Sequence, residues 1–153
     1  MFRTPLVALL ATNPAFVELS GRSLEDGGYN IATLSSPGAL TTFLRISPVD
    51  VVVLDSELPG TSALTVVRGL RALPRLASPL FSIVAIVRDR EMHEALYDAG
   101  VNVVLPKPVA PRQLLATIQR LHPLRPGQLA RSRRPAMRKR QPRRVGNVIH
   151  LFG

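Results

Sequence analysis

The sequence predicts an α/β protein, a five-stranded parallel sheet wrapped by helices, and three observations predict it. Five short apolar runs (6–11, 29–34, 51–54, 81–87 and 101–105) alternate with five stretches of helical character. The third run, Val51 to Leu54, contains no polar residue, as expected of a strand covered on both faces. Pro, Gly or a capping residue punctuates the connections between runs. Strand-then-helix units repeated five times build a parallel sheet through right-handed crossovers.

Each element follows in order. Leu6 to Ala11 reads as a buried strand, and Asn13-Pro14 opens a helix, Asn as N-cap and Pro in the first turn. Phe16, Val17, Leu19 and Leu24 give that helix an apolar side, and Gly27-Gly28 ends it. Tyr29 to Leu34 is the second strand, and Ser35-Ser36-Pro37 starts a short helix through Leu44. Pro48 and Asp50 lead to the third strand and Asp55; Ser62 caps a helix to about Leu73. Pro74 and Pro79 bound the way to Phe81–Val87, and Asp89 is expected to cap a helix ending at Ala99-Gly100. Val101 to Leu105, the Lys107-Pro108 turn and a helix from Ala110 to Leu121 complete the pattern.

Composition divides the 153 residues in two. Residues 1–121 carry 11 basic and 10 acidic residues, near neutrality, whereas residues 122–153 carry 9 basic residues and no acid. The boundaries are therefore a domain over 4–121 and a Pro/Arg-rich tail over 122–153. That tail, without apolar periodicity through Arg144, is expected to stay disordered. Its last residues, 146–153, regain Val148, Ile149, Leu151 and Phe152, and read as a docking peptide or a loose end. With no Cys, disulfides, thiolate nucleophiles and cysteine metal sites are excluded. Leu6 to Ala11 is too short to span a membrane, and no signal peptide is apparent, so a cytoplasmic location is expected.

Asp55 ends the third strand, where open α/β sheets place their ligands. An acid there is a candidate nucleophile or metal ligand, or a turn aspartate bonding its own loop.

Asp55 with Leu58-Pro59-Gly60, Asn13-Pro14, Ala99-Gly100 and Lys107-Pro108, in this order and spacing, resemble the receiver domain of bacterial two-component response regulators. The resemblance covers about 4–121 and implies a doubly wound, flavodoxin-like sheet of order 2-1-3-4-5. Asp55 would be the phosphoacceptor position and would face Lys107. It also implies Mg²⁺-assisted phosphoryl transfer from a histidine kinase, with two acids at the end of the first strand holding the ion. Ala11 and Thr12 stand there instead, Val87 replaces the hydroxyl residue ending strand four, and Val104 replaces the aromatic of strand five. The chain thus resembles a degenerate receiver, expected to bind Mg²⁺ weakly or not at all and not to act as an enzyme. A direct Asp55–Lys107 pair, partly open to water, is expected, with Glu57 able to take Lys107 instead or to fill part of the metal position the resemblance implies.

Three functions follow. The first is a module signalling by protein contacts with a kinase or effector. The implied face, fourth helix, fifth strand and fifth helix, offers His93, Tyr97, Val103, Val104, Arg112 and Gln119. The second is a conventional single-domain regulator phosphorylated on Asp55. The third is nucleic-acid or anionic-surface binding through Arg131, Arg133, Arg134, Arg138, Lys139, Arg140, Arg143 and Arg144. A homodimer stays open. If the tail binds duplex DNA, log affinity should fall against log salt with a slope of about 4–8 in magnitude, without marked sequence preference. A salt series on the full chain and on a chain ending at Leu121 checks this; equal binding by both would remove the tail as the site.

Overall fold

The computed structural model describes residues 3–124 and the backbone of 148–151. Strands β1 (Leu6–Leu10), β2 (Asn30–Leu34), β3 (Val51–Asp55), β4 (Ser82–Val87) and β5 (Val103–Pro106) alternate with helices α1 (Pro14–Asp26), α2 (Pro37–Ile46), α3 (Ala63–Arg71), α4 (Met92–Ala99) and α5 (Pro111–Leu121). A sixth strand, β6 (Val148–Leu151), follows. Every neighbouring pair is parallel, and the order is β5-β4-β3-β1-β2-β6. The expected 2-1-3-4-5 sheet is present, extended by one strand beyond β2.

Two apolar layers sandwich the sheet. On one face Leu24 of α1 and Leu114 and Ile118 of α5 pack with Val7, Leu9, Ile31, Val51, Val53, Val84 and Ile86. On the other, Leu40 and Phe43 of α2, Val67 and Leu70 of α3 and Leu96 of α4 meet Ala8, Leu10, Val52, Leu54, Ile83 and Ala85. Alternate residues of β3 serve opposite layers, so the unbroken run at 51–54 is explained by burial on both sides. Burying each such side chain stabilises the fold by about 1.5–3 kcal/mol.

The caps at Asn13, Ser36 and Ser62 form as read, each side-chain oxygen accepting a backbone N–H three residues on. The fourth helix differs. Asp89 accepts the Glu91 N–H, two residues on, closing a turn, and the helix proper begins at Met92. At its far end Gly100 has φ +117°, where a Cβ would also press on the Arg71 side chain. Arg71 donates to the carbonyls of Phe81 and Gly100 and to Asn102 Oδ1, and its guanidinium lies 4.7 Å over the Phe81 ring. It ties the end of α3 to the entrances of β4 and β5; burial pushes its guanidinium below the usual arginine range.

At 148–151, where a docking peptide and a loose end were the alternatives, the backbone pairs with β2. Residues 125–147, including all eight clustered basic residues from Arg131 to Arg144, lie outside the described residues. No helix among the described residues is long and apolar enough to cross a membrane.

Tyr29, just before β2, is buried and donates its hydroxyl to the His122 carbonyl at 2.8 Å, securing the end of α5. Burial pushes its phenol up to about 12. The folded state therefore prefers neutral Tyr29, and its contribution is complete below pH about 10 and is lost as pH rises toward about 12. Tyr29→Phe should cost roughly 0.5–1.5 kcal/mol at neutral pH and flatten that alkaline loss. Denaturant unfolding from neutral to alkaline pH, with and without the substitution, measures both.

Candidate functional site

The carboxyl ends of β1, β3, β4 and β5 come together because the ladder is in register: Leu10 lies opposite Leu54, Asp55 opposite Ile86, Val87 opposite Pro106. Pairing continues one residue past two strands, since Ser56 N–H donates to Ile86 and Lys107 N–H to Val87, each at 3.0 Å. That extension fixes where Asp55 and Lys107 leave the sheet. The loop after β3 is pinned by Leu58, buried in the layer beneath α2–α4, and turns at Gly60, whose φ of +76° suits glycine.

Asp55 is only 6% exposed. Its Oδ1 accepts the Lys107 ammonium at 2.6 Å and the Glu57 N–H at 3.1 Å. Asp55 thus bonds its own loop, as the turn reading has it, and faces Lys107. The pair, expected to be partly open to water, is more enclosed than a surface pair: the side chains of Lys107 and Asp55 are 16% and 8% exposed. Two charges so placed depend on each other more than a surface pair does.

Glu57 does not take Lys107 away. Its Oε2 lies 3.4 Å from that ammonium but is held mainly by Arg88, at 2.8 and 3.0 Å. The Arg88 hydrogen bond first, then the Lys107 charge, keep the Glu57 carboxyl below the usual glutamate range. Arg88 is the residue that sequence reasoning missed. An arginine directly after the last residue of β4 was a visible signal, because that position faces the same end of the sheet.

Asp55, Glu57, Lys107 and Arg88 thus form one alternating chain of charges across the loops after β3, β4 and β5. Ala11 is buried with no donor, Thr12 is exposed with a neutral hydroxyl, and Val87 is buried and apolar. Mg²⁺ requires several oxygen ligands in octahedral array. Against that need, Asp55 faces Lys107, Glu57 faces Arg88, and Ala11 and Thr12 add no charge. Among the described residues no three His, Cys, Asp or Glu side chains group to hold a metal ion.

The remaining candidates separate. Tyr97 of α4 is 45% exposed, and its hydroxyl accepts the Val104 N–H at 3.0 Å, joining helix to strand. Val104 itself is buried under α4, so it offers no surface, while Val103 is half-buried toward α5. His93, one turn before Tyr97, is half-buried with Nε2 enclosed and without a hydrogen-bond partner. Arg112 and Gln119 are exposed on α5.

Comparison with known proteins agrees with this architecture. The chain is 38% identical over 77 residues to the cyclic di-GMP phosphodiesterase response regulator RpfG of Xanthomonas campestris, covering 50% of this chain and 20% of that protein. It spans less than half the length of the curated relatives it matches. Among solved structures, a chemotaxis response regulator of Vibrio cholerae superposes with a TM-score of 0.70 at 20% identity, over 78% of this chain and 99% of that one. The receiver domain of a Pseudomonas aeruginosa sensor histidine kinase, with a magnesium ion coordinated in its active-site cleft, gives 0.67 at 21% identity, over 78% and 98%. These likenesses are of fold. The response regulator receiver domain family matches residues 7–119, and the chain belongs to that family.

Proposed function

We propose that this receiver domain signals chiefly through protein–protein contacts with a kinase or a downstream effector, with little or no Mg²⁺-dependent phosphorylation of Asp55. The observation that carries the reading is the state of the acceptor. Asp55 Oδ1 is already bonded to Lys107 and to the Glu57 N–H, and its surroundings supply no acidic partner at the end of β1. A phosphoryl group arriving at Asp55 would meet the Lys107 ammonium but no acids at the end of β1 to hold a divalent ion against the incoming charge. The ion-pair chain through Glu57 and Arg88 ties together the loops that phosphorylation would otherwise have to draw together. The phosphodiesterase activity in the name of the Xanthomonas relative belongs to a protein of which this chain covers a fifth, and nothing at the site argues for it here.

The test is a titration with Mg²⁺, then with Mg²⁺ plus beryllofluoride, following amide shifts at Asp55, Glu57, Arg88 and Lys107. The expected result is no saturable response below millimolar concentrations. Sub-millimolar Mg²⁺ binding, or closure around beryllofluoride, would instead establish conventional regulation.

Asp55→Asn should leave fold and partner binding intact while lowering stability by about 1–3 kcal/mol, more than for a surface pair, with Glu57 retaining part of the Lys107 contact. Denaturant unfolding checks the loss, and a partner pull-down checks binding.

Arg88→Ala should raise the Glu57 carboxyl toward its ordinary value, read by carboxyl-carbon NMR titration. Because the folded carboxyl is depressed in the native chain, its stabilising effect is present above the ordinary glutamate range and is lost as pH falls through the depressed value. The variant should lose the Arg88 share of that acid-side dependence and keep the share that Lys107 supplies.

A further inference from the structure

We propose that the edge of β2 away from β1 is a docking site for an extended strand in parallel register, and that the chain's own residues 148–151 occupy it reversibly in cis. The two outer edges of the five-stranded sheet differ in their need for cover. β5 has four residues and ends in Pro106, which has no N–H to offer a neighbour. β2 is Asn-Ile-Ala-Thr-Leu, with no charge and no proline to deter pairing. The strand β6 lies on that edge with Ile31 opposite Val148, Ala32 opposite Ile149, Thr33 opposite His150 and Leu34 opposite Leu151.

Topology favours the same arrangement. β1–α1–β2 crosses toward the β2 edge with α1 on one face, and β5–α5–β6 crosses in the same direction with α5 on that face. The sixth strand therefore completes a crossover of the same hand as the first, as the twist of parallel sheets requires. The chain also leaves and returns at one place. The Tyr29 hydroxyl holds the His122 carbonyl beside the entrance of β2, and β6 begins opposite Ile31, two residues along. A parallel crossover needs a dozen or more residues, and 23 separate Leu124 from Val148. Covalent connection makes this pairing intramolecular, which favours a chain's own β2 over that of a second copy. Four residues paired along one side make a weak contact, so the strand can leave.

The backbone directions make the test specific. Asn30 N–H donates to Pro5 on the β1 side, so by alternation the N–H groups of Ile31 and Thr33 point to β6. In the observed register, Ile149 and Leu151 then turn their backbone groups toward β2, and Val148 and His150 turn theirs away. Amide exchange is measured on the full chain and on full-length Ile149→Pro and His150→Pro. Ile149→Pro should speed exchange at Ile31 and Thr33 by about tenfold or more, while His150→Pro leaves them near native. Amides in β3 and β4 report that both variants remain folded. Equal effects of the two prolines, or unprotected Ile31 and Thr33 amides in the native chain, would overturn the proposal. Protection that rises with protein concentration would overturn the cis occupant in favour of a second copy.

Discussion

Because β3 is covered on both faces, its last residue, Asp55, is delivered into surroundings where an unpaired carboxylate is costly. The ladder also decides what can reach it. Lys107 is placed by its own N–H bond to Val87, one residue beyond β5, and its ammonium meets Asp55 at 2.6 Å. The rest of the site follows from that contact. The 55–58 loop folds back so that Glu57 N–H bonds the same oxygen, Glu57 is then left facing outward, and Arg88 covers it.

Much of this was legible in residue order. Strands buried on both faces announce themselves as unbroken apolar runs, and Asn13, Ser36 and Ser62 carry short side chains able to cap the helices that follow them. Asp55 stood out because it ends a strand where parallel sheets gather their functional groups, and Lys107 through the resemblance that Lys107-Pro108 carries. What escaped notice depends on distance through space. Asp89 has the chemistry of a cap, but its carboxylate is satisfied two residues on, and sequence does not distinguish the two. The burial of the Asp55–Lys107 pair results from the packing of several loops, and no local pattern encodes it. Arg88 resembled a solvated arginine until Glu57 was placed beside it.

The sixth strand was the least legible element. Four residues after a long polar stretch carry too little periodicity to announce a strand, and their partner lies more than a hundred residues earlier. The need for cover could be read only from β2, whose composition lacks the charges and prolines with which exposed edges are usually blunted. Strand and edge make sense as a pair and hardly at all separately.

The four charges at the carboxyl end of the sheet cancel: Asp55 and Glu57 against Lys107 and Arg88. A cluster with no net monopole projects little potential beyond its own diameter, and at physiological ionic strength that little is screened within about 8 Å. The net field of these four charges therefore favours neither cations nor anions at long range. Encounter with a charged partner must then be steered by other parts of the surface, and contacts at this cluster become a matter of short-range fit, felt only after the two proteins have met.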